Sequence, residues 1–385
     1  MRSKVSLFLS LLLFVFMNSF SQEQTLIKSI RDEALNHSND FKINEISILF
    51  IGDFMGHMDQ INAAYNKELN NYNYNKTFEK IKPILSDADI SIGNLEVTLG
   101  VEPYSGYPRF SSPAEYASAI KTSGVDVLVT ANNHSCDKKK LGLEKTISIL
   151  DSLNIGHTGT FINSDSKKKY PCYLIEKNNM KVAIVNYTYG TNGILPSAPN
   201  IVNYLDKSIV ADDINYIKDK IRPDQIIAFL HWGDQYKNFP NKAQEDWFNY
   251  FTSLGVNIVI GSHPHVLQPI QWFNNSNSAK DELVAYSLGN FLSHQRTFPR
   301  DGGAVLKINL IKNESGVNIK SAKYHLTWVH EFMLEGKKHY DVLSVKDYES
   351  NPEYFSNRGH FEKLKRFSKH ARSLMSEHNI GIEEY

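Results

Sequence analysis

The chain has 385 residues and carries 42 basic (Lys and Arg) and 42 acidic (Asp and Glu) residues, so its formal net charge is zero, a balance that excludes the basic footprint of a nucleic-acid-binding protein. Hydrophobic residues make up 41% of the chain, which is enough to fill the core of a large α/β domain. Only two cysteines are present, Cys136 and Cys172, which excludes a disulfide-rich scaffold and leaves open whether the two pair.

The first residues have the pattern of a secretory signal peptide. Arg2 and Lys4 precede a short apolar run, and a small-x-small motif follows that ends at Ser21. The apolar run is shorter than the roughly 20 residues that a transmembrane helix needs, although an uncleaved anchor is the alternative. We therefore predict a signal peptide over residues 1–21, a polar leader over 22–44, and export to the periplasm or the cell surface of a bacterium.

Apolar runs alternate with helical patterns through the first half of the chain. The run that ends at Gly52-Asp53 is continuously apolar, which is typical of a strand buried on both faces. Strand-like and helical segments then follow one another in the order expected of βα units. The predicted segments are strand 46–51, helix 75–87, strand 88–92, helix 113–122, strand 125–130, helix 141–153 and strand 181–187.

The same alternation continues downstream and then gives way to strands. The predicted segments are helix 207–221, strand 225–230, helix 241–254, strand 256–260, strands 266–272, 282–287, 303–311 and 317–330, and a basic helical stretch over about 358–376. Repeated βα units that finish in strands predict a layered α/β sandwich.

Several of the predicted strands end in side chains that can bind a metal ion. These are Asp53, then Asn94 with Glu96, then Asn133 with His134, then His231, and finally His263 with His265. Since strands of one sheet place their ends side by side, these groups would meet in one cleft. Carboxylate oxygen and imidazole nitrogen without thiolate favour Zn, Mn or Fe(II), and the ligands outnumber those that one tetrahedral ion uses. The sequence therefore predicts two divalent metal ions in one centre, whereas a satisfied structural pair is the alternative for His263 and His265.

Six motifs, taken together, resemble those of the CapA family of poly-γ-glutamate capsule synthesis proteins, a group similar to the calcineurin-like metallophosphoesterases. They are Gly52-Asp53-Phe54-Met55, Gly93-Asn94-Leu95-Glu96, Ala131 to Asp137 (ANNHSCD), His231-Trp232-Gly233, Gly261 to Gln268 (GSHPHVLQ) and Tyr286 to Phe291 (YSLGNF). The resemblance implies an α/β fold, a four-layer αββα sandwich of the metallophosphoesterase type, over residues 45–330. Residues 331–385 would then be a C-terminal helical extension.

The resemblance also implies a role for the residues that match these motifs. As metal ligands it implies Asp53, Glu96, Asn133, His231, His263 and His265. The resemblance implies that His134 is the acid that protonates the leaving group and that Asp137 holds its imidazole in the right tautomer. As residues that line the site it implies Asn94, Tyr286, Ser287 and Asn290. Met55 departs from the pattern, because a phosphoesterase often has a histidine at that position.

The function implied by the resemblance is hydrolysis, by metal-activated water, of an anionic polymer or ester at the cell surface, with poly-γ-glutamate as one candidate. Arg109, in a loop before a predicted helix, is a candidate to grip such an anion. Two alternatives are a non-catalytic capsule-assembly or polymer-anchoring factor and a catabolic esterase or phosphatase. The expected partners are an anionic polymer or small anionic substrate and membrane-bound capsule or polysaccharide machinery, but no nucleic acid. The oligomeric state stays open.

Overall fold

The computed structural model describes residues 44–273 and 281–385. The predicted signal peptide, and the leader as far as residue 43, lie outside the described residues. Contacts along the chain group Glu45 to Tyr385 into one unit. Within the described ranges, no helix combines the length and the apolar character that crossing a bilayer requires.

The strands are numbered here in chain order, and helices are named by their bounds. The strands are β1 (Glu45–Phe54), β2 (Tyr65–Asn66), β3 (Asn71–Tyr72), β4 (Ile90–Leu95), β5 (Thr98–Leu99), β6 (Ser111–Ser112), β7 (Val127–Val129), β8 (Gly156–Thr158), β9 (Thr160–Phe161), β10 (Tyr173–Lys177), β11 (Met180–Thr188), β12 (Ile201–Val202), β13 (Gln225–His231), β14 (Ile258–Ser262), β15 (Ile270–Phe273), β16 (Glu282–Ala285), β17 (Asn290–Leu292), β18 (Gly302–Asn313), β19 (Gly316–Leu334), β20 (Lys337–Ser344) and β21 (Glu383–Glu384). The α-helices are Met58–Ala64, Asn75–Glu79, Lys82–Leu85, Ala114–Thr122, Lys139–Ser152, Ser164–Lys169, Lys207–Tyr216, Lys242–Ser253, Val345–Tyr348 and Arg358–His378.

The first sheet combines a parallel half with an antiparallel half. Its strand order is β20-β19-β18-β1-β4-β7-β8, with β17 also pairing with β1 and β21 with β19. Strands β1, β4, β7 and β8 run parallel, and helical segments connect each of them to the next. Strands β18, β19 and β20 are joined directly and pair antiparallel. The carboxyl ends of the parallel strands therefore lie along one edge.

The second sheet has the strand order β10-β11-β13-β14-β16-β15. Its four inner strands run parallel, and β10 and β15 pair antiparallel at the two margins. Because β11 to β16 are parallel, the carboxyl ends of β13 and β14 also lie at one edge of this sheet.

The two sheets face each other, and helices cover both outer faces. On β1, Ile48 and Phe50 point into the core between the sheets, where Phe50 meets Phe229 of β13 at 6.3 Å between ring centroids. The alternate residues, Leu49 and Ile51, point outwards into a second core with side chains of the helices. A third core lies on the outer face of the second sheet. The result is the four-layer αββα sandwich that the resemblance implied, and burying each large apolar side chain contributes about 1.5–3 kcal/mol.

Local differences from the predicted elements trace to proline. The predicted helix 75–87 is two short helices, the second of which has Pro83 in its first turn, where proline lacks the N–H that would continue the first. The predicted strand 266–272 begins only at Ile270, after Pro269.

Cys136 and Cys172 are both buried and both free thiols.

The C-terminal residues differ from the predicted helical extension. The boundary expected at residue 330 falls inside β19, and β20 continues the same sheet, so residues 331–344 belong to the sandwich. Only then does the helix Arg358–His378 follow, and its apolar face, including Leu364 and Phe367, is buried in the core between the sheets. The sequence pattern predicted the helix but not the burial of its apolar face, because the helix is amphipathic and polar on average.

Candidate metal centre

The register of the first sheet aligns polar side chains at the carboxyl ends of its strands. Asp53 of β1 pairs with Asn94 of β4 on one side and with Asn290 of β17 on the other. Gly52, just before the aspartate, lies so close to Gly289 that a Cβ on Gly52 would be 2.1 Å from the Gly289 carbonyl oxygen. The side-chain amide of Asn94 donates to Asp53 Oδ1 at 2.8 Å. The sheet thus fixes the Asp53 backbone from both sides, and Asn94 holds its carboxylate.

The second sheet delivers three imidazoles to the same region. His231 ends β13 and lies in register with Ser262 at the end of β14. After Ser262 the chain makes a turn in which His263 and His265 have φ values of 97° and 57°. Left-handed backbone at a non-glycine residue costs on the order of 1–3 kcal/mol, and such strain clusters at functional sites. The strained backbone of the turn around Pro264 therefore indicates that the placement of the His263 and His265 rings is functional.

The strand ends of both sheets converge on Glu96. Two groups of buried side chains have potential ligand atoms that all lie within 4.8 Å of one another: Glu96, His231 and His263, and Asp53, Glu96 and His265. Glu96 Oε1 lies 3.6 Å from His231 Nε2 and 3.5 Å from His265 Nε2. His265 Nδ1 lies 3.1 Å from Asp53 Oδ2. Glu96 is the one residue that both groups share.

The charges in this centre are not balanced by the protein itself. Neither oxygen of the fully buried Glu96 carboxylate has a hydrogen-bond partner among the described residues. Burial, together with the nearby Asp53 carboxylate, raises the pKa of Glu96 well above its usual range. No lysine or arginine in the described ranges lies within 4.0 Å of either carboxylate. Because a buried, unpaired carboxylate is costly, this donor set fits bound cations.

Two of the three imidazoles, those of His231 and His263, are held in the neutral form that binds metal. Burial, and for both rings the neighbouring histidines, lower the pKa of His231 and His263 well below the usual value. Both rings are therefore neutral at physiological pH, as a ligand nitrogen must be. The buried Nδ1 of His263 has no hydrogen-bond partner in the described part of the chain. These residues could hold metal with nitrogen and oxygen ligands alone.

Two neighbours orient the imidazoles. His231 Nδ1 lies 3.0 Å from the Ser262 hydroxyl, which in turn can donate to the Leu230 carbonyl at 3.3 Å. If Nδ1 carries the proton, Nε2 presents its lone pair towards Glu96, 3.6 Å away, and towards the Asn133 side-chain oxygen, 3.0 Å away. Asn290 acts similarly on His265, whose Nδ1 lies 3.0 Å from Asn290 Oδ1. Such partners fix tautomer and ring orientation.

His134 and Asp137 form a buried pair beside the ligands. His134 Nδ1 lies 2.7 Å from Asp137 Oδ2, and the same oxygen accepts the backbone N–H of Phe110 at 2.6 Å. The Phe110 ring meets His134 edge-on, with centroids 4.6 Å apart. The carboxylate therefore favours the tautomer of His134 that carries its proton on Nδ1.

Three residues expected in the site lie elsewhere. Tyr286 packs on Trp232 in the outer core of the second sheet. It follows the last residue of β16 and continues the alternation of that strand, which turns its side chain away from the centre. The Ser287 hydroxyl donates to the Val266 carbonyl at 2.8 Å and so stabilises a turn. Arg109 is exposed, and no described residue accepts a hydrogen bond from its side chain.

The structure adds residues that the motifs did not single out. Asn132 donates to the Leu95 carbonyl at 2.7 Å and accepts the His134 N–H at 3.0 Å, so it fixes the loop between them. The Tyr189 ring lies over His263 with centroids 4.6 Å apart. His57 packs against Phe110, and burial, with His294 and His265 nearby, lowers the pKa of His57 to about 4. Asn132 and Ser262 belong to two of the six motifs, and this position in the sequence was the one sign that they contribute to the site.

Comparison with known proteins finds similarity to bacterial capsule synthesis proteins. Residues 47–295 match the family model described as "Bacterial capsule synthesis protein PGA_cap". The PGA biosynthesis protein CapA of Bacillus subtilis (strain 168) is 26% identical over 321 residues, covering 79% of this chain and 75% of that protein. The capsule biosynthesis protein CapA of Bacillus anthracis is 25% identical over 299 residues, covering 74% of this chain and 69% of that protein. The matched residues contain every candidate ligand.

Proposed function

The chain belongs to the bacterial capsule synthesis protein family PGA_cap, and from this membership and its buried ligand cluster we propose that it is an exported, metal-dependent hydrolase in capsule biosynthesis. Its substrate would be an anionic cell-surface polymer or ester, with poly-γ-glutamate as the first candidate. The observation that carries the proposal is Glu96, a buried carboxylate shared by two ligand groups and without a hydrogen-bond partner of its own among the described residues.

The ligand groups support a centre of two divalent ions, Mn, Zn or Fe. One group would hold an ion through Asp53 and His265, the other through His231 and His263, with Glu96 common to both. The Asn133 oxygen, next to His231 Nε2, would join the second group. When bound, such ions would supply a water of lowered pKa and would polarise the bond to be cut.

The protein's own acid in this proposal is His134. With Nδ1 donating to Asp137, Nε2 is the atom that would give a proton to the leaving group; this step uses the imidazolium form, whose charge the Asp137 carboxylate would stabilise. The Asp137 carboxylate is itself held by the Phe110 N–H, which prevents the pair from rotating. General acid catalysis of this kind contributes about 10²–10⁴-fold in rate.

The proposal is tested by metal analysis together with hydrolysis assays. We expect purified protein to contain divalent metal, to lose it and its activity to a chelator, and to hydrolyse bis-p-nitrophenyl phosphate or poly-γ-glutamate when loaded. His265→Ala should reduce the metal content, since it removes a ligand. His134→Ala should keep the metal and lower kcat by about 10²-fold or more.

A matched control is His157→Ala. His157 also pairs with an aspartate, Asp151, at 3.1 Å, but it lies outside both ligand groups. It should leave metal content and kcat unchanged. Wild-type protein that binds no divalent metal would overturn the metal centre. Metal-loaded protein that hydrolyses neither substrate would favour the non-catalytic capsule-assembly or polymer-anchoring factor.

A further inference from the structure

A stacked pair of side chains, Tyr236 and Arg300, lies beside the candidate metal centre. The guanidinium carbon of Arg300 is 3.4 Å from the centroid of the Tyr236 ring. The same ring lies beside His265, with centroids 6.1 Å apart. A guanidinium that stacks on an aromatic face keeps its in-plane N–H donors free for another partner. We refer to these two residues as the Tyr236–Arg300 pair.

Both members of the pair are connected by hydrogen bonds to the turn that carries His263 and His265 or to the residue that orients His265. Tyr236 has a left-handed backbone, with φ of 66°, and its N–H donates to the Pro264 carbonyl at 2.8 Å. The Asn290 side chain donates to the Arg300 carbonyl at 2.8 Å, while its oxygen lies 3.0 Å from His265 Nδ1. The position of the guanidinium is therefore set by the same residues that orient His265.

The charge of Arg300 is not used within the described part of the chain. No carboxylate there lies within 4.0 Å of its guanidinium, and no described residue accepts a hydrogen bond from it. The adjacent acid, Asp301, instead accepts the indole N–H of Trp328 at 2.9 Å. The other arginine of this loop, Arg296, is half-buried and donates to the Val329 carbonyl. Arg300 is thus a partly exposed cation that no carboxylate of the described residues neutralises.

We propose that Arg300, held on Tyr236, binds an anionic group of the substrate next to the bond that is cut, and so determines specificity for negatively charged substrates. This inference rests on the proposed hydrolase function and assigns the recognition of charge to a residue outside the metal ligands. Carboxylate and phosphate share the chemistry that Arg300 would recognise, since the fork of N–H donors matches two oxygens of either group. Among the described residues, the Arg109 side chain has no aromatic stacking partner and no hydrogen-bond acceptor.

The test uses the metal-loaded protein with the variants Arg300→Gln and Arg300→Lys. We expect Arg300→Gln to keep the metal content, to raise KM for the preferred anionic substrate about tenfold or more, and to change kcat by less than about threefold, since the lost contact binds the substrate without taking part in the chemical step. Arg300→Lys should recover part of the affinity, because it restores the charge without the fork.

Arg366→Gln is the matched control. Arg366 also stacks on an aromatic ring of the same loop, with its guanidinium carbon 3.9 Å from the Phe298 centroid, but it lies on the C-terminal helix and has no tie to His265. It should leave KM and kcat at the wild-type values. A KM increase equal to that of Arg300→Gln would show that loop order alone is responsible and would overturn the assignment.

Binding measured without turnover separates this inference from the proposed function. Calorimetric titration of poly-γ-glutamate and of inorganic phosphate into wild-type and Arg300→Gln protein gives two affinities for each, and the ligand that loses affinity in the variant identifies the anion. Arg300-dependent binding in a protein that hydrolyses nothing would retain the inference while the hydrolase proposal fails. Hydrolysis by wild type with equal KM and equal affinities in Arg300→Gln, or no binding of either anion by wild type, would overturn the inference.

Discussion

At the scale of single residues, the candidate centre depends on side chains that no ion would touch. The Ser262 hydroxyl meets His231 Nδ1 at 3.0 Å, and Asn290 meets His265 Nδ1 at the same distance. The oxygen of each can accept a hydrogen bond from the ring N–H that faces away from Glu96, which leaves the other ring nitrogen free to bind an ion. A ligand set read from sequence says which atoms bind, but these neighbours decide how the rings are turned.

Ser262→Ala should therefore weaken metal binding without unfolding the protein. We expect the affinity for divalent metal to fall about 10- to 100-fold, because His231 loses the partner that fixes its tautomer. Ser91→Ala is the matched control, since Ser91 is another buried strand serine, and its hydroxyl donates to the Leu85 carbonyl. It should cost about 1 kcal/mol of stability and no metal affinity. Competition titrations with a metal indicator measure the metal affinity of both variants. Equal affinities in Ser262→Ala and wild-type protein would show that Ser262 does not have this role.

At the scale of elements, the close approach of β1 to the loop before β17 brings Asp53 into place. The Asp53 N–H donates to the Gly289 carbonyl at 3.0 Å, and that oxygen fills the space where a side chain on Gly52 would begin. Gly289 itself has a positive φ of 68°. Both glycines of the two motifs are thus explained by backbone contact between two distant segments.

Gly52→Ala should disrupt this approach. Its Cβ would meet backbone only 2.1 Å away, which nothing short of moving β1 or the loop can relieve. We expect a loss of stability of about 2 kcal/mol or more and a reduced metal content. Gly190→Ala is the control, because a Cβ there would have nothing within 4 Å. Urea denaturation and metal analysis test both variants, and a Gly52→Ala protein as stable and as metal-loaded as Gly190→Ala would contradict the argument.

At the scale of the whole molecule, the C-terminal helix Arg358–His378 closes the core between the sheets. Its buried apolar residues belong to the same cluster as the strands of both sheets. Where the helix meets β19, His330 is buried among aromatic rings, and its Nε2 lies 3.1 Å from His360 Nδ1. Burial, with His360 and Arg296 nearby, lowers the pKa of His330 to about 3.

This burial makes stability depend on pH in a definite direction. Between about pH 6.5 and 3 the unfolded chain binds a proton at His330 that the folded chain does not. The free energy of unfolding is therefore at its full value above pH 6.5 and decreases as the pH falls through this window. Each pH unit in this window should cost up to about 1 kcal/mol from this group. His330→Phe keeps the stacking and should lose less stability between pH 7 and pH 5. Urea denaturation of chelated protein at both pH values compares the two, and equal losses would exclude His330 as the source.

The sequence by itself determined the layered α/β fold and the order of the candidate ligands. Both followed because buried parallel strands are continuous apolar runs and their carboxyl ends carry the polar residues, as at Asp53 and His231. The same local signals placed Tyr286 at the site, although alternation along its strand turns the side chain to the other face. A motif gives proximity along the chain, whereas the face of a strand depends on register.

Only the tertiary structure decided which of these side chains meet, and what surrounds them. Glu96 of the first sheet and His231 of the second are distant in sequence, and the packing of two sheets through one apolar core brings them to 3.6 Å. The same packing places Arg300 beside His265 through Tyr236 and leaves Arg109 exposed without a partner among the described residues. Such contacts depend on the approach of separate elements, and no local pattern of residues encodes that approach.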